Sequence, residues 1–161
     1  MNEGIGPLEL KVFIEDTKRH KYLMTDLVRQ ECGTNPSRIM EMIEIMTVEP
    51  SFFSLLSRYM KRERLEDVAF YKSASISRAI FSNMQRDDYR PNKATVLKSA
   101  IALNLDFVDT SALLEKAGYA FIWTDATDLT LIYCIMNRQY ELLEIDALLV
   151  GVGERTLFSV E

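Results

Sequence analysis

The apolar residues of this chain recur at helical spacing in nearly every segment between breaks. Leu10, Phe13 and Ile14 share one face of a helix predicted over Leu8–Arg19. Leu23, Leu27 and Val28 do the same over Tyr22–Glu31, and Gly33-Thr34-Asn35-Pro36 then breaks the chain. Ser37–Val48 predicts a third helix. Pro50 ends it, and Ser51 is placed to cap a fourth, Phe52–Arg64, with Phe52, Leu55, Leu56 and Tyr59 inward. Towards the C-terminus the pattern predicts helices over Thr110–Ala117, stopped by Gly118, then Asp125–Asn137 and Glu141–Val150. The expectation is an all-α chain in three segments: a helical N-terminal arm over 1–50, a core over 51–122 and a helical extension over 123–161.

The central stretch, Leu65–Asp106, reads as three short helices with tight connections. The first is Glu66–Ser73. After the turn Ala74-Ser75-Ile76, the Ser77 hydroxyl can accept an orphan backbone N–H and start Arg78–Gln85. Pro91 disfavours a helical Arg90, and Asn92 caps a third helix running to about Asn104. Two short helices joined by a turn of three or four residues form the helix-turn-helix pattern.

The order of residue types here resembles the Cro and lambda-repressor type of helix-turn-helix core. Leu65 opens the unit, Ile76-Ser77-Arg78 starts the second helix, and Phe81 points to the core. Arg90-Pro91 precedes the next helix, which carries Leu97-Lys98-Ser99-Ala100-Ile101-Ala102-Leu103. The resemblance covers about residues 53–118. Asp67 stands where that family usually has Gln, Tyr71 where it has a small Ala, Ser75 where it has Gly, and Gln85 where it has Glu. The segment from Asp109 to about Leu157 is similar to a helical extension found in some bacterial multidomain proteins. The resemblance implies a regulatory protein that binds double-stranded DNA, in a cytoplasmic bacterial or phage setting such as a defence or mobile-element locus.

The chemistry of that reading is specific. Arg78–Gln85 would lie in the major groove with Ser77, Arg78, Ala79, Ser82 and Asn83 outward and Ile80, Phe81 and Met84 inward. Arg78 suits guanine and Asn83 suits adenine. Arg86, Arg90 and Lys93 are expected to reach phosphates. Asp67 would repel one.

Charge changes the picture in one respect. The net charge of −5 over 161 residues does not suit a general nucleic-acid binder. Residues 51–122, however, carry 11 Lys/Arg against 8 Asp/Glu, while both flanking segments are acidic. The basic segment is therefore the helix-turn-helix candidate.

The alternative reading is a non-catalytic adaptor or inhibitor that binds another protein or a second copy of itself. Ser37–Val48 is rich in methionine, and Met40, Met42 and Met46 suit an adaptable interface, although core filling is the better explanation of them. Leu157 and Phe158 in the tail could dock on a partner. The single histidine, His20, lies in the basic cluster Lys18–Lys21. No nucleophile elbow, Gly-rich phosphate loop or metal spacing accompanies it, so neither catalysis nor a cofactor or metal is expected. Cys32 and Cys134 read as reduced thiols. No stretch is apolar enough to span a membrane, and the N-terminus lacks a secretory core.

Overall fold

The computed structural model describes residues 6–20, 35–48 and 51–158, apart from the side chains of residues 17–20, 42, 45 and 46. Among these residues the chain is all-helical, with no strand. In chain order the helices are α1 (Pro7–His20), α2 (Pro36–Val48), α3 (Phe52–Arg62), α4 (Asp67–Ser73) and α5 (Arg78–Met84). They are followed by α6 (Lys93–Ala102), α7 (Phe107–Lys116), α8 (Ala126–Met136) and α9 (Leu142–Gly151). The helix expected over Tyr22–Glu31, Cys32 and the Lys18–Lys21 side-chain cluster lie outside the described residues.

The helix starts follow from short polar side chains. Ser51, Ser77, Asn92, Asp106 and Asp125 each accept a backbone N–H in the first turn of the helix they precede. Each such cap stabilises its helix by about 1 kcal/mol. Asp106 moves the start of α7 to Phe107, three residues before the Thr110 start expected from apolar spacing.

The helix ends share one device. Arg64, Ser75, Asn104, Gly118, Arg138 and Gly153 all take positive φ, from +52° to +85°, just past a helix. In each case the next N–H bonds back to a carbonyl five residues earlier, as in Leu65 to Met60, Ile76 to Tyr71 and Gln139 to Cys134. This is the Schellman closure, which satisfies carbonyls the helix leaves open. Four of the six carry a side chain where Gly is the usual choice. Arg64 therefore terminates α3 at Arg62 although nothing in its chemistry announces a stop.

α7 is the hub of the bundle: it packs against α2, α3, α6 and α8. α8 is a second centre, flanked by α1 and α9. Leu10 and Ile14 of α1 are buried, and Phe13 lies 5.0 Å from Tyr133 of α8, centroid to centroid. The first helix thus packs on the C-terminal extension. The buried apolar residues form one cluster from Leu10 to Phe158, so the three segments read from the sequence share a core.

Candidate nucleic-acid interface

α4 and α5 are each seven residues long and are joined by Ala74–Ser77. Ala74 and Ile76 are buried, and Ser75 at φ +54° turns the chain between them. The Ser77 hydroxyl accepts the Ile80 N–H at 3.1 Å. This fixes which side of α5 faces inward. Phe81 and Met84 are 3% and 1% exposed, and Ile80 is partly buried. Ser77, Arg78, Ala79 and Ser82 are exposed, and Asn83 is half-buried. The inward face sits in an aromatic cage: Phe81 lies 6.0 Å from Phe53, 5.7 Å from Phe70 and 5.6 Å from Tyr71. Tyr71, which stands where the family carries a small residue, is accommodated by packing on Phe81.

The cations divide into two groups. Arg78 is exposed at the first position of α5, and Arg86 is exposed beside Asp88 at 3.2 Å. Arg90 and Lys93, expected to reach phosphates, are engaged within the chain. The Arg90 guanidinium donates to the Ala117 and Gly118 carbonyls, both at 2.8 Å, and stacks 4.2 Å above the Tyr119 ring. Those carbonyls close α7, whose last turn carries partial negative charge, so the site suits a cation. The Lys93 ammonium pairs with Asp128 of α8. Beside α5 lies an open crevice of about 620 Å³, lined by Phe53, Arg86, Asp87, Tyr89, Arg90 and Lys116 among others.

Two buried polar groups were not legible as sites in the sequence. Asp109 of α7, 2% exposed, accepts from Arg38 at 3.0 Å, Arg62 at 2.9 Å and the Tyr59 hydroxyl at 3.3 Å. Arg38 also donates to Asp106 at 2.7 Å. Burial pushes the Tyr59 hydroxyl well above the ordinary phenol range, and the Asp109 charge adds to the effect. Burial works against the charge on Arg38 and Arg62, but the aspartates outweigh it and hold both above the usual guanidinium value. The node ties α2 and α3 to α7. The second group is Asp146 of α9, whose carboxylate accepts the Leu157 and Phe158 N–H groups at 2.7 and 3.1 Å.

That second contact bears on the partner-docking residues. Phe158 is 6% exposed and belongs to the chain's own core, and Leu157 is partly buried against it. The tail is folded back by Asp146 rather than offered to a partner. Met40 is exposed on α2, next to exposed Ile39, Ile43 and Val48. The side chains of Met42 and Met46 lie outside the described residues. Cys134 is buried, and burial pushes its thiol up to about 12, which keeps it protonated and unreactive at neutral pH. No described helix is long and apolar enough to cross a membrane. Comparison with protein-family models, with curated proteins and with solved structures finds no match.

Proposed function

We propose that the chain binds double-stranded DNA in gene regulation, with α5 as the helix that enters the major groove. The observation that carries this reading is the two-sided character of α5. Phe81 and Met84 lock it to the core, while Ser77, Arg78, Ala79 and Ser82 face outward in one row at its N-terminal end. Base-reading side chains occupy that end in helix-turn-helix proteins. The left-handed Ser75 further supports it, because the position at which the resembled family carries Gly is here one that Gly would suit.

Arg78 adds a physical argument. A cation at the first residue of a helix opposes the positive end of the helix dipole, so α5 gains nothing from it. Its value is outward, towards an anion or a guanine edge. Arg86 stands at the other end of the same unit. Arg90 and Lys93 hold the architecture instead of the backbone of DNA.

The test is fluorescence anisotropy on labelled duplexes at two salt concentrations. Binding should weaken steeply as salt rises, because it releases counterions from phosphates. Arg78→Ala should relax base preference and cost about 1–3 kcal/mol. Absence of binding at low salt overturns the reading. A protein-binding role would then rest on the exposed apolar residues Ile39, Met40, Ile43 and Val48 of α2.

A further inference from the structure

Arg90 is held in place by the chain but is not neutralised by it. Its Nε and Nη2 donate to the Ala117 and Gly118 carbonyls, both at 2.8 Å, and the Tyr119 ring lies 4.2 Å from the guanidinium. Gly118, at φ +83°, approaches so closely that a Cβ there would meet Nη2 at 3.0 Å. Carbonyls carry no net charge, and among the described residues no carboxylate pairs with Arg90. A guanidinium carries more donors than two carbonyls use. The edge formed by Nε and Nη2 is taken. The end-on edge, with an N–H on each Nη, is left over in a side chain that is still exposed.

This arginine lines the crevice of about 620 Å³ that lies between the start of α3, the loop after α5 and the end of α7. Small-molecule sites are commonly of that size. Phe53 and Tyr89, both half-buried, line it too, and Asp87 and Glu115 are exposed on it. Arg86 is already answered by Asp88. We propose that the crevice binds a small aromatic monocarboxylate, its carboxylate on the free edge of Arg90 and its ring against Phe53 and Tyr89. Two parallel N–H groups on an arginine edge match the two oxygens of a carboxylate. Because the chain already fixes the guanidinium, binding costs little of its rotamer freedom. The two rings give an apolar body something to cover. The acids set the charge of the ligand: a phosphate dianion is repelled twice over by Asp87 and Glu115, and a single carboxylate half as much. The crevice lies past the end of α5 opposite to Arg78, and the site does not depend on the DNA reading.

Titration of the isotope-labelled full chain with benzoate, followed by amide NMR at constant ionic strength, tests it. Saturable shifts are expected at the Tyr89, Arg90, Ala117 and Gly118 amides and at the Arg90 Nε–H. The Kd should be about 1 mM, as suits so small a ligand. Acetate lacks the ring, benzyl alcohol lacks the charge, and phenyl phosphate carries too much of it. Each should bind about tenfold more weakly than benzoate. Arg90→Gln keeps an amide donor for the carbonyls and loses the charge, so it should weaken benzoate by about tenfold. Tyr89→Ala should weaken it by a smaller factor. The ligand series on wild type decides the matter even where Arg90→Gln fails to fold. Shifts that do not saturate, or that spread evenly over the surface, overturn the proposal. So does benzyl alcohol or phenyl phosphate binding as well as benzoate, or a folded Arg90→Gln chain that binds benzoate unchanged.

Discussion

The Lys93 ammonium at the start of α6 is paired with the carboxylate of Asp128 in α8, which is 3% exposed and also accepts the Ile122 N–H at 2.6 Å. The pair clamps the helix after the candidate recognition unit to the C-terminal extension. Removing the lysine leaves a buried carboxylate with one backbone donor. Lys93→Met should therefore cost about 3 kcal/mol, the low end for a buried pair stripped of one partner, since Lys93 keeps some exposure. Urea denaturation with an unchanged m-value checks this. The salt slope of DNA binding should stay as in wild type, because the lysine charge is already neutralised within the chain.

The same pair sets a pH dependence. Burial raises the Asp128 carboxyl above its ordinary value, although Lys93 and the Ile122 N–H pull it back. The native chain then holds this proton more tightly than the unfolded chain does. Stability should fall as pH rises from the ordinary Asp value of about 3.9 through the raised one, and level off above it. Asp128→Asn should remove that slope. A slope that persists in the variant assigns it to other groups.

Tyr59 gives the alkaline counterpart. Its hydroxyl is buried against Asp109 and titrates above the ordinary phenol range. Because the native state keeps the proton, stability should decline once pH passes the unfolded phenol value of about 10. Tyr59→Phe should flatten part of that decline, read from thermal midpoints across an alkaline series. Asp109→Ala should be far more damaging, about 3–5 kcal/mol, because it leaves two arginines and a hydroxyl facing a buried gap.

The helices were legible because the chain obeys local rules. Ser51, Ser77 and Asn92 read as caps and act as caps, and Phe81 and Met84 fall on the buried side that their spacing implies. Helix ends were harder to read. Arg64 and Arg138 adopt the left-handed conformation with side chains that give no sign of it. Long-range polar partners were not legible at all. Arg90 and Lys93 looked like phosphate contacts because their acceptors, the Ala117 carbonyl and Asp128, lie 27 and 35 residues away. Nothing in the local sequence marks Asp109 or Asp146 as buried. Only the packing of α7 and α9 shows that each closes a buried network.

The turn between α4 and α5 isolates a backbone effect. Ser75 at φ +54° carries a left-handed penalty of about 1 kcal/mol that Gly does not. Gly gives back part of that gain through its freer unfolded state. Ser75→Gly should stabilise by about 0.5 kcal/mol, and Ser75→Val should cost about 1–2 kcal/mol, because a β-branched side chain fits that conformation worst. Equal midpoints for the two variants would show that the turn is not held left-handed in solution.

Asp67 lets stability and binding be read in opposite directions. It is the first residue of α4, exposed, behind an N-cap glutamate that makes no side-chain cap. Its negative charge favours the helix start, so Asp67→Gln should cost about 0.3–1 kcal/mol of stability. The same charge would face a phosphate if α4 crosses the DNA backbone, so the substitution should tighten binding, by more at low salt than at high. Arg78→Ala should do the reverse: it relieves an unfavourable cation at the start of α5 and stabilises the fold slightly, while DNA affinity falls. Thermal midpoints and anisotropy on the same two variants give four signs. If binding follows stability in both, the two residues act through the fold and α4–α5 is an ordinary surface hairpin. If the signs oppose in both, the outward row of α5 is the surface that meets DNA.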